Sequence, residues 1–198
     1  MSKKFVHFVN FVNCGNGSHD FGKTVDGRNI LSEVRGPMTI LEGCLKSTFK
    51  LWRKNPPLMC RILDSIGGEL LLKIEAFKAC GVKIISYADP VGSEAILGPK
   101  TARMLAEDFL LPFLDGAEKI IDDSFVMHLC PQTAYLLVNL GFAEWRPVKL
   151  NCSMSYGEAC LASIGRAKFL GQMCLKNKGV ILENGEIQEL IINLKRSE

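Results

Sequence analysis

The sequence predicts an α/β fold built on a parallel sheet, and three observations carry that expectation. From Ile30 onward, short β-branched runs alternate with longer stretches whose apolar residues recur at helical intervals, which argues for βαβ units with right-handed crossovers. Prolines open the longer stretches and glycines close them, the usual punctuation of helices. Polar and metal-binding residues collect just after the strand-like runs, where parallel α/β proteins place their chemistry. With 198 residues the chain suits a single domain, residues 1 to 198, and can bury a real core.

The elements follow in order. Residues 1 to 29 read as an irregular N-terminal segment, since "NCGNGSHDFGKTVDGRN" is rich in glycine and asparagine. "ILSEVRG" is a short strand ending at Gly36-Pro37. "PPLMCRILDSIGGELLLKIEAFKACG" starts on two prolines and stops at Gly81, so it is a helix. "VKIISYADP" is a buried strand closed by Asp89-Pro90. Pro99 opens "PKTARMLAEDFLLPFLDGAEKII", a second long helix that Pro112 should kink. "SFVMHLC" is the next strand, "PQTAYLLVNLG" a short helix capped by Gly141, and "PVKLNC" a further strand. "YGEACLASIG" reads as helix, "AKFLGQMC" as strand and "GEIQELIINL" as a last helix. There is no linker, second domain or low-complexity tract.

Composition excludes more than it identifies. Hydrophobic residues make up 47% and charged residues 23%, and a net charge of +3 is too small and dispersed to imply nucleic acid or a membrane surface. No run of 18 apolar residues suggests a membrane span, and "MSKKFVHFVNFVNCGNGS" lacks a secretory cleavage site, which points to the cytoplasm. The eight cysteines, at 14, 44, 60, 80, 130, 152, 160 and 174, are then expected reduced, and those at functional spacing are candidates for binding metal.

"SFVMHLCPQT" carries the sharpest signal. Side chains alternate faces along a strand, so His128 and Cys130 project from the same side, which is a ligand spacing. The plain alternative is core packing, because free cysteine is often buried and one hydrogen bond can satisfy a histidine. Asp89-Pro90 can likewise be a simple turn start, and Gly36 with Pro37 a plain turn. Cys14, Cys44, Cys60, Cys80 and Cys160 fall in loops or helices and read as packing residues. His7 and His19 have no ligating spacing, and "CGNGSHD" is no dinucleotide fingerprint, since no strand precedes it and no helix opens there.

Taken in order, "VRGPMTI", "NPPLMCRILDSI", "KACGVKIISYADPVGSEAILGP", "FLLPFLDGAEKI" and "MHLC" resemble the uroporphyrinogen decarboxylase superfamily, and in particular its cobalamin-dependent methyltransferase branch. The resemblance runs from about Val34 to Cys174. It implies a (β/α)₈ barrel, a TIM-barrel-like architecture that needs about 250 residues. This chain is shorter and offers about six βα units, so the implied fold is an incomplete barrel without the first units. The resemblance further implies a zinc ion held by His128, Cys130 and a later cysteine, for which Cys174 is the candidate and Cys152 the rival. Zinc takes imidazole and thiolate and can keep one position open for a thiol, which coordination deprotonates. The implied reaction moves a methyl group between a corrinoid carrier, either a corrinoid protein or free methylcobalamin, and a small thiol. By the same resemblance Asp89 is a catalytic and substrate-contacting residue, and Gly36, Pro37 and Ser93 line the substrate site. Decarboxylation of a porphyrinogen is the alternative. It would demand an arginine cluster, and Arg28, Arg35 and Arg103 are scattered. A third expectation is a catalytically silent barrel fragment, its open edges covered by a partner, by a homodimer or by "KKFVHFVNFV".

Overall fold

The computed structural model describes residues 30 to 193. The N-terminal segment read as irregular, with Cys14, His7, His19, Arg28 and "KKFVHFVNFV", lies outside the described residues.

The chain enters through β1 (Leu31–Arg35), followed by a single helical turn, α1 (Pro37–Ile40), and by α2 (Leu45–Lys54), a stretch left without an element by the sequence patterns above. Next comes α3 (Pro56–Ala79), which begins where the reading placed it: Asn55 caps it by accepting the Leu58 N–H at 3.2 Å, and Pro56 supplies a first residue that needs no hydrogen-bond acceptor. Gly81, at φ 79°, lets the chain leave the helix while the Val82 N–H donates back to Phe77 O at 3.1 Å. Then follow β2 (Ile84–Ala88), the short α4 (Glu94–Leu97), α5 (Pro99–Leu105) and α6 (Leu111–Ile120). Between α5 and α6 the helix widens into a π-helical turn at Ala106–Leu110. That turn precedes Pro112, whose ring and missing N–H disturb the ordinary ladder, and so absorbs the expected disruption. β3 (Val126–Leu129) and α7 (Pro131–Asn139) complete the region in which sequence and structure agree closely.

The C-terminal part departs from expectation. After β4 (Ala143–Lys149), the chain makes β5 (Met154–Ser155), α8 (Tyr156–Ala162), the two-residue β6 (Phe169–Leu170), β7 (Ile181–Leu182) and β8 (Glu186–Ile192). The last segment is a strand, not the predicted helix. Isoleucines at 187, 191 and 192 favour extended backbone, and a turn through Gly185, at φ 62°, delivers them into antiparallel pairing with β4. The predicted strand "AKFLGQMC" is extended only at Phe169 and Leu170, after which the chain turns away.

The main sheet has six strands in the order β1-β2-β3-β6-β8-β4. β1, β2, β3 and β6 run parallel, and β8 is antiparallel to both of its neighbours. The fold is therefore mixed α/β, and the expected barrel is corrected: the sheet is not closed, and β1 and β4 are its edges among the described residues. Side-chain alternation divides the core. One face, with Val34, Ile85, Tyr87, Met127, Leu129 and Phe169, packs against α3, α5, α6 and α7. The other, with Ile84, Val126, Leu170 and Ile187, packs against Tyr156, Ala159 and Cys160 of α8. A closed barrel would have enclosed that second face among its own strands; here a helix covers it. Among the described residues no helix is long and apolar enough to cross a membrane.

Candidate functional site

Parallel register brings the carboxyl ends of the first three strands level. Arg35 pairs with Ala88 and Tyr87 with Leu129; the Gly36 N–H donates to Ala88 O at 2.9 Å and the Cys130 N–H to Tyr87 O at 2.8 Å. Asp89, Cys130 and the turn after β6 thus share one edge, as the strand-end rule anticipates.

Asp89 is buried at 3% exposure, and its carboxylate is consumed by the fold. It accepts the Met38 N–H at 3.2 Å, the Thr39 N–H at 2.7 Å and the Thr39 Oγ1 hydroxyl at 2.7 Å, so it ties the end of β2 to the first turn of α1. Burial pushes its carboxyl above the ordinary range, while hydrogen bonds from Thr39, Met38 and Gly92 pull the other way. Two glycines make room for it. A Cβ on Gly36 would lie 2.4 Å from Asp89 Cβ and 2.3 Å from the Tyr87 hydroxyl, and one on Gly92 would lie 2.6 Å from Asp89 Oδ2. Gly36, Pro37 and Asp89 do come together, as expected, but as a bracket that satisfies itself. Ser93 is buried at the start of α4, where its carbonyl accepts the Ile96 and Leu97 N–H groups at 3.1 and 2.9 Å.

The end of β3 is different. His128 is 1% exposed, on the face covered by α8, and its Nε2 stands 2.9 Å from Met173 O and 3.1 Å from the Tyr156 hydroxyl. A carbonyl only accepts, so Nε2 carries the proton and Nδ1 keeps its lone pair. That Nδ1 is buried and, among the described residues, has no hydrogen-bond partner. Burial lowers the ring's pKa to about 4, so the imidazole is neutral at physiological pH, with the Met173 carbonyl opposing the shift. Tyr156 packs edge-on against the ring, 6.0 Å between centroids, and burial raises its own hydroxyl above the usual phenol range. Sequence reasoning saw Tyr156 only as the first residue of a helix. The available signal was "SYGE", a capping box in which Ser155 accepts the Glu158 N–H and Glu158 accepts the Ser155 N–H, which fixes where α8 starts.

Cys130 is half-buried at the first turn of α7, and burial, followed by the nearby Cys174 and Asp89, raises its thiol. Cys174 is half-buried as well and opens a 3₁₀ turn, Leu175–Asn177. The turn before it is pressed onto the end of β3. A Cβ on Gly171 would lie 2.9 Å from Leu129 O and 2.8 Å from Ala134 Cβ, and Gln172 Oε1 accepts the Gln188 N–H. Cys152, the rival ligand, is exposed and follows β4, which β6 and β8 separate from β3. Cys160 is buried on α8, where burial pushes its thiol up to about 12.

Zinc can be tested against these residues. The donor chemistry fits: a neutral imidazole with a free Nδ1 lone pair, oriented through its other nitrogen by a backbone carbonyl, is how metal-binding histidines are commonly held, and two thiols lie at the same edge. In the conformation described, the donors are not gathered: among the described residues no three His, Cys, Asp or Glu side chains are grouped to hold a metal ion.

No family model matches the sequence, and no curated protein matches it. Among solved structures, a methyltransferase from Methanosarcina mazei is similar over 55% of this chain and 34% of its own, with 24% identity and a TM-score of 0.42. This chain thus spans about a third of the length of that neighbour. A likeness of that extent leaves the functional reading to the site itself.

Proposed function

We propose that this chain is a methyltransferase-like enzyme of the uroporphyrinogen decarboxylase superfamily, working at the shared edge of β3 and β6 and moving a methyl group between a corrinoid carrier, protein-bound or free methylcobalamin, and a small thiol. The observation that carries the reading is the Nδ1 of His128, buried and, among the described residues, without a hydrogen-bond partner, at a strand end that also carries the partly exposed Cys130. Met173 O holds the ring and fixes its tautomer, Tyr156 closes one side, and the burial of His128 and Tyr156 keeps water from the imidazole. Cys130, raised by burial, is a protonated thiol at neutral pH and therefore a poor nucleophile unless a cation joins it. In this proposal His128, Cys130 and Cys174 would hold zinc, which makes thiolates available at neutral pH. Taking up the ion would require the side chains at this edge to rearrange, since they are not grouped for it. Asp89 serves as a positioning residue, holding the α1 turn that, with Gly36, Pro37 and Ser93, borders the edge.

Elemental analysis of purified protein tests the proposal. Near-stoichiometric zinc, removed by both His128→Ala and Cys130→Ala and unaffected by Cys152→Ser, is the expected outcome. No zinc after reconstitution would sink the metal-dependent reading. One observation favours a second reading, a catalytically silent subunit: among the described residues the sheet ends in unpaired edges at β1 and β4, which a second copy could cover. A monomeric mass by light scattering would count against it. Porphyrinogen decarboxylation has less support, since Arg35 pairs with Glu33, and Arg103 with Glu107 and the Phe142 ring, instead of forming an arginine cluster.

A further inference from the structure

We infer that Cys130 and Cys174 are a redox pair, able to close into a disulfide that pins the turn after β6 to the end of β3. The inference takes the same edge as the proposed function and adds its regulation. Three observations bring the stretches of chain that carry the two cysteines together, and a fourth leaves both residues accessible. β3 and β6 are neighbours, with His128 opposite Leu170. The chain after Leu170 folds back tightly enough that the carbonyl of Met173, the residue before Cys174, is 2.9 Å from the ring of His128, two residues before Cys130. The same turn is packed at Gly171 against Leu129 and Ala134, the residues that flank the Cys130 junction. Each thiol is partly open to solvent, as attack by or on a small disulfide requires.

The other described cysteines lack this setting. Cys160 is sealed under α8, Cys152 follows the far edge strand, Cys60 and Cys80 belong to the helical layer on the other face, and Cys44 lies before α2 against Thr48. Either thiol can open the exchange, since both residues are partly exposed; one order begins at Cys174. The step balances with a small-molecule disulfide such as oxidised glutathione. The Cys174 thiolate attacks one glutathione sulfur and expels a glutathione thiolate. Cys130 then loses its proton to solvent and attacks Cys174 Sγ, releasing the second glutathione. The cysteine pair gives up two electrons and the glutathione disulfide takes them. Closure would withdraw both sulfurs from any ion or substrate and would fix the carbonyl that holds His128.

Peptide mapping of the full-length protein tests this. Native protein is equilibrated with oxidised or reduced glutathione, with a chelator in both arms, then alkylated, digested and analysed by mass spectrometry. The expected result is a single cross-linked peptide pair joining Cys130 to Cys174 in the oxidised arm, with two fewer alkylated cysteines, lost in Cys130→Ser and in Cys174→Ser and retained in Cys152→Ser. A denatured control should instead give mixed pairings. Full alkylation of both residues after native oxidation, a stable glutathione adduct at either one, or linkage of either to another cysteine would overturn the inference. Zinc content is read separately, so failure of the redox pair and failure of the zinc reading give different signatures.

Discussion

The ends of β2 and β3 lie side by side and carry polar residues of similar promise in the sequence, yet the fold treats them in opposite ways. At β2, the Asp89 carboxylate is surrounded by donors, two backbone amides and a hydroxyl, in a space cleared by two glycines. At β3, His128 is buried just as deeply, but among the described residues only one ring nitrogen has a hydrogen-bond partner. A satisfied buried carboxylate is structural; a buried lone pair without a partner is a cost that a bound ligand can repay.

The largest expected effect breaks the β2 side. Asp89→Ala leaves the Met38 and Thr39 amides buried without an acceptor and should destabilise the protein by about 3 kcal/mol in chemical denaturation, with Asp89→Asn costing less. If Asp89→Ala unfolds at the parent's denaturant concentration, Asp89 is not the bracket described.

On the β3 side the comparable effect is in pH. The pKa of His128 is about 4 in the fold against an ordinary 6.5, so the unfolded chain binds the extra proton. Its contribution is complete above about pH 6.5 and is lost as pH falls towards 4, about 3 kcal/mol in all. Asp89, raised in the fold, has the opposite sign, stabilising less as pH rises. The difference between parent and His128→Gln isolates the histidine: thermal melts across this window should fall more steeply in the parent. Parallel slopes would mean the ring is not buried neutral.

Gly36→Ala comes next, at about 1–3 kcal/mol from overpacking. Because the Tyr87 hydroxyl is the closest obstacle, adding Tyr87→Phe should recover part of that loss, read as a rise in the denaturation midpoint of the double variant. Tyr87→Phe alone is the smallest effect. Among the described residues the hydroxyl makes no well-formed hydrogen bond, and burial, the adjacent Asp89 charge and the pull of that carboxylate on its proton all hold it protonated, so its removal should change stability by no more than about 1 kcal/mol. A clear loss of stability would reveal a partner for it.

The parallel part was legible in the sequence because its signals are local. Pro56, Gly81, Pro131 and Gly141 mark helix ends through backbone chemistry that needs no tertiary context, and β2 and β3 are short apolar runs closed by Asp-Pro and Cys-Pro. The C-terminal part was not, because "EIQELII" has apolar spacing compatible with either periodicity and becomes a strand only through its partners. Arg146 meets Glu189 at 2.5 Å, and Glu189 also accepts the Lys168 N–H at 3.0 Å, contacts between residues far apart in sequence. At the site, the neighbourhood of His128 and Cys130 could be read from strand alternation. The capture of Nε2 by Met173 and Tyr156 could not, since it depends on a turn and a helix arriving from elsewhere.

β8 sets the order in which this molecule can be assembled. Among the described residues it is the only strand that touches β4 in the sheet, and it lies between β4 and β6, so Ala143 gains its described strand partner only once Ile192 has been made. On a ribosome, β1, β2 and β3 can gather with their helices as they emerge, while β4 must wait exposed for a strand synthesised later. Such delayed, non-local pairing is slow, and it leaves the incomplete chain vulnerable to mispairing for as long as the gap persists.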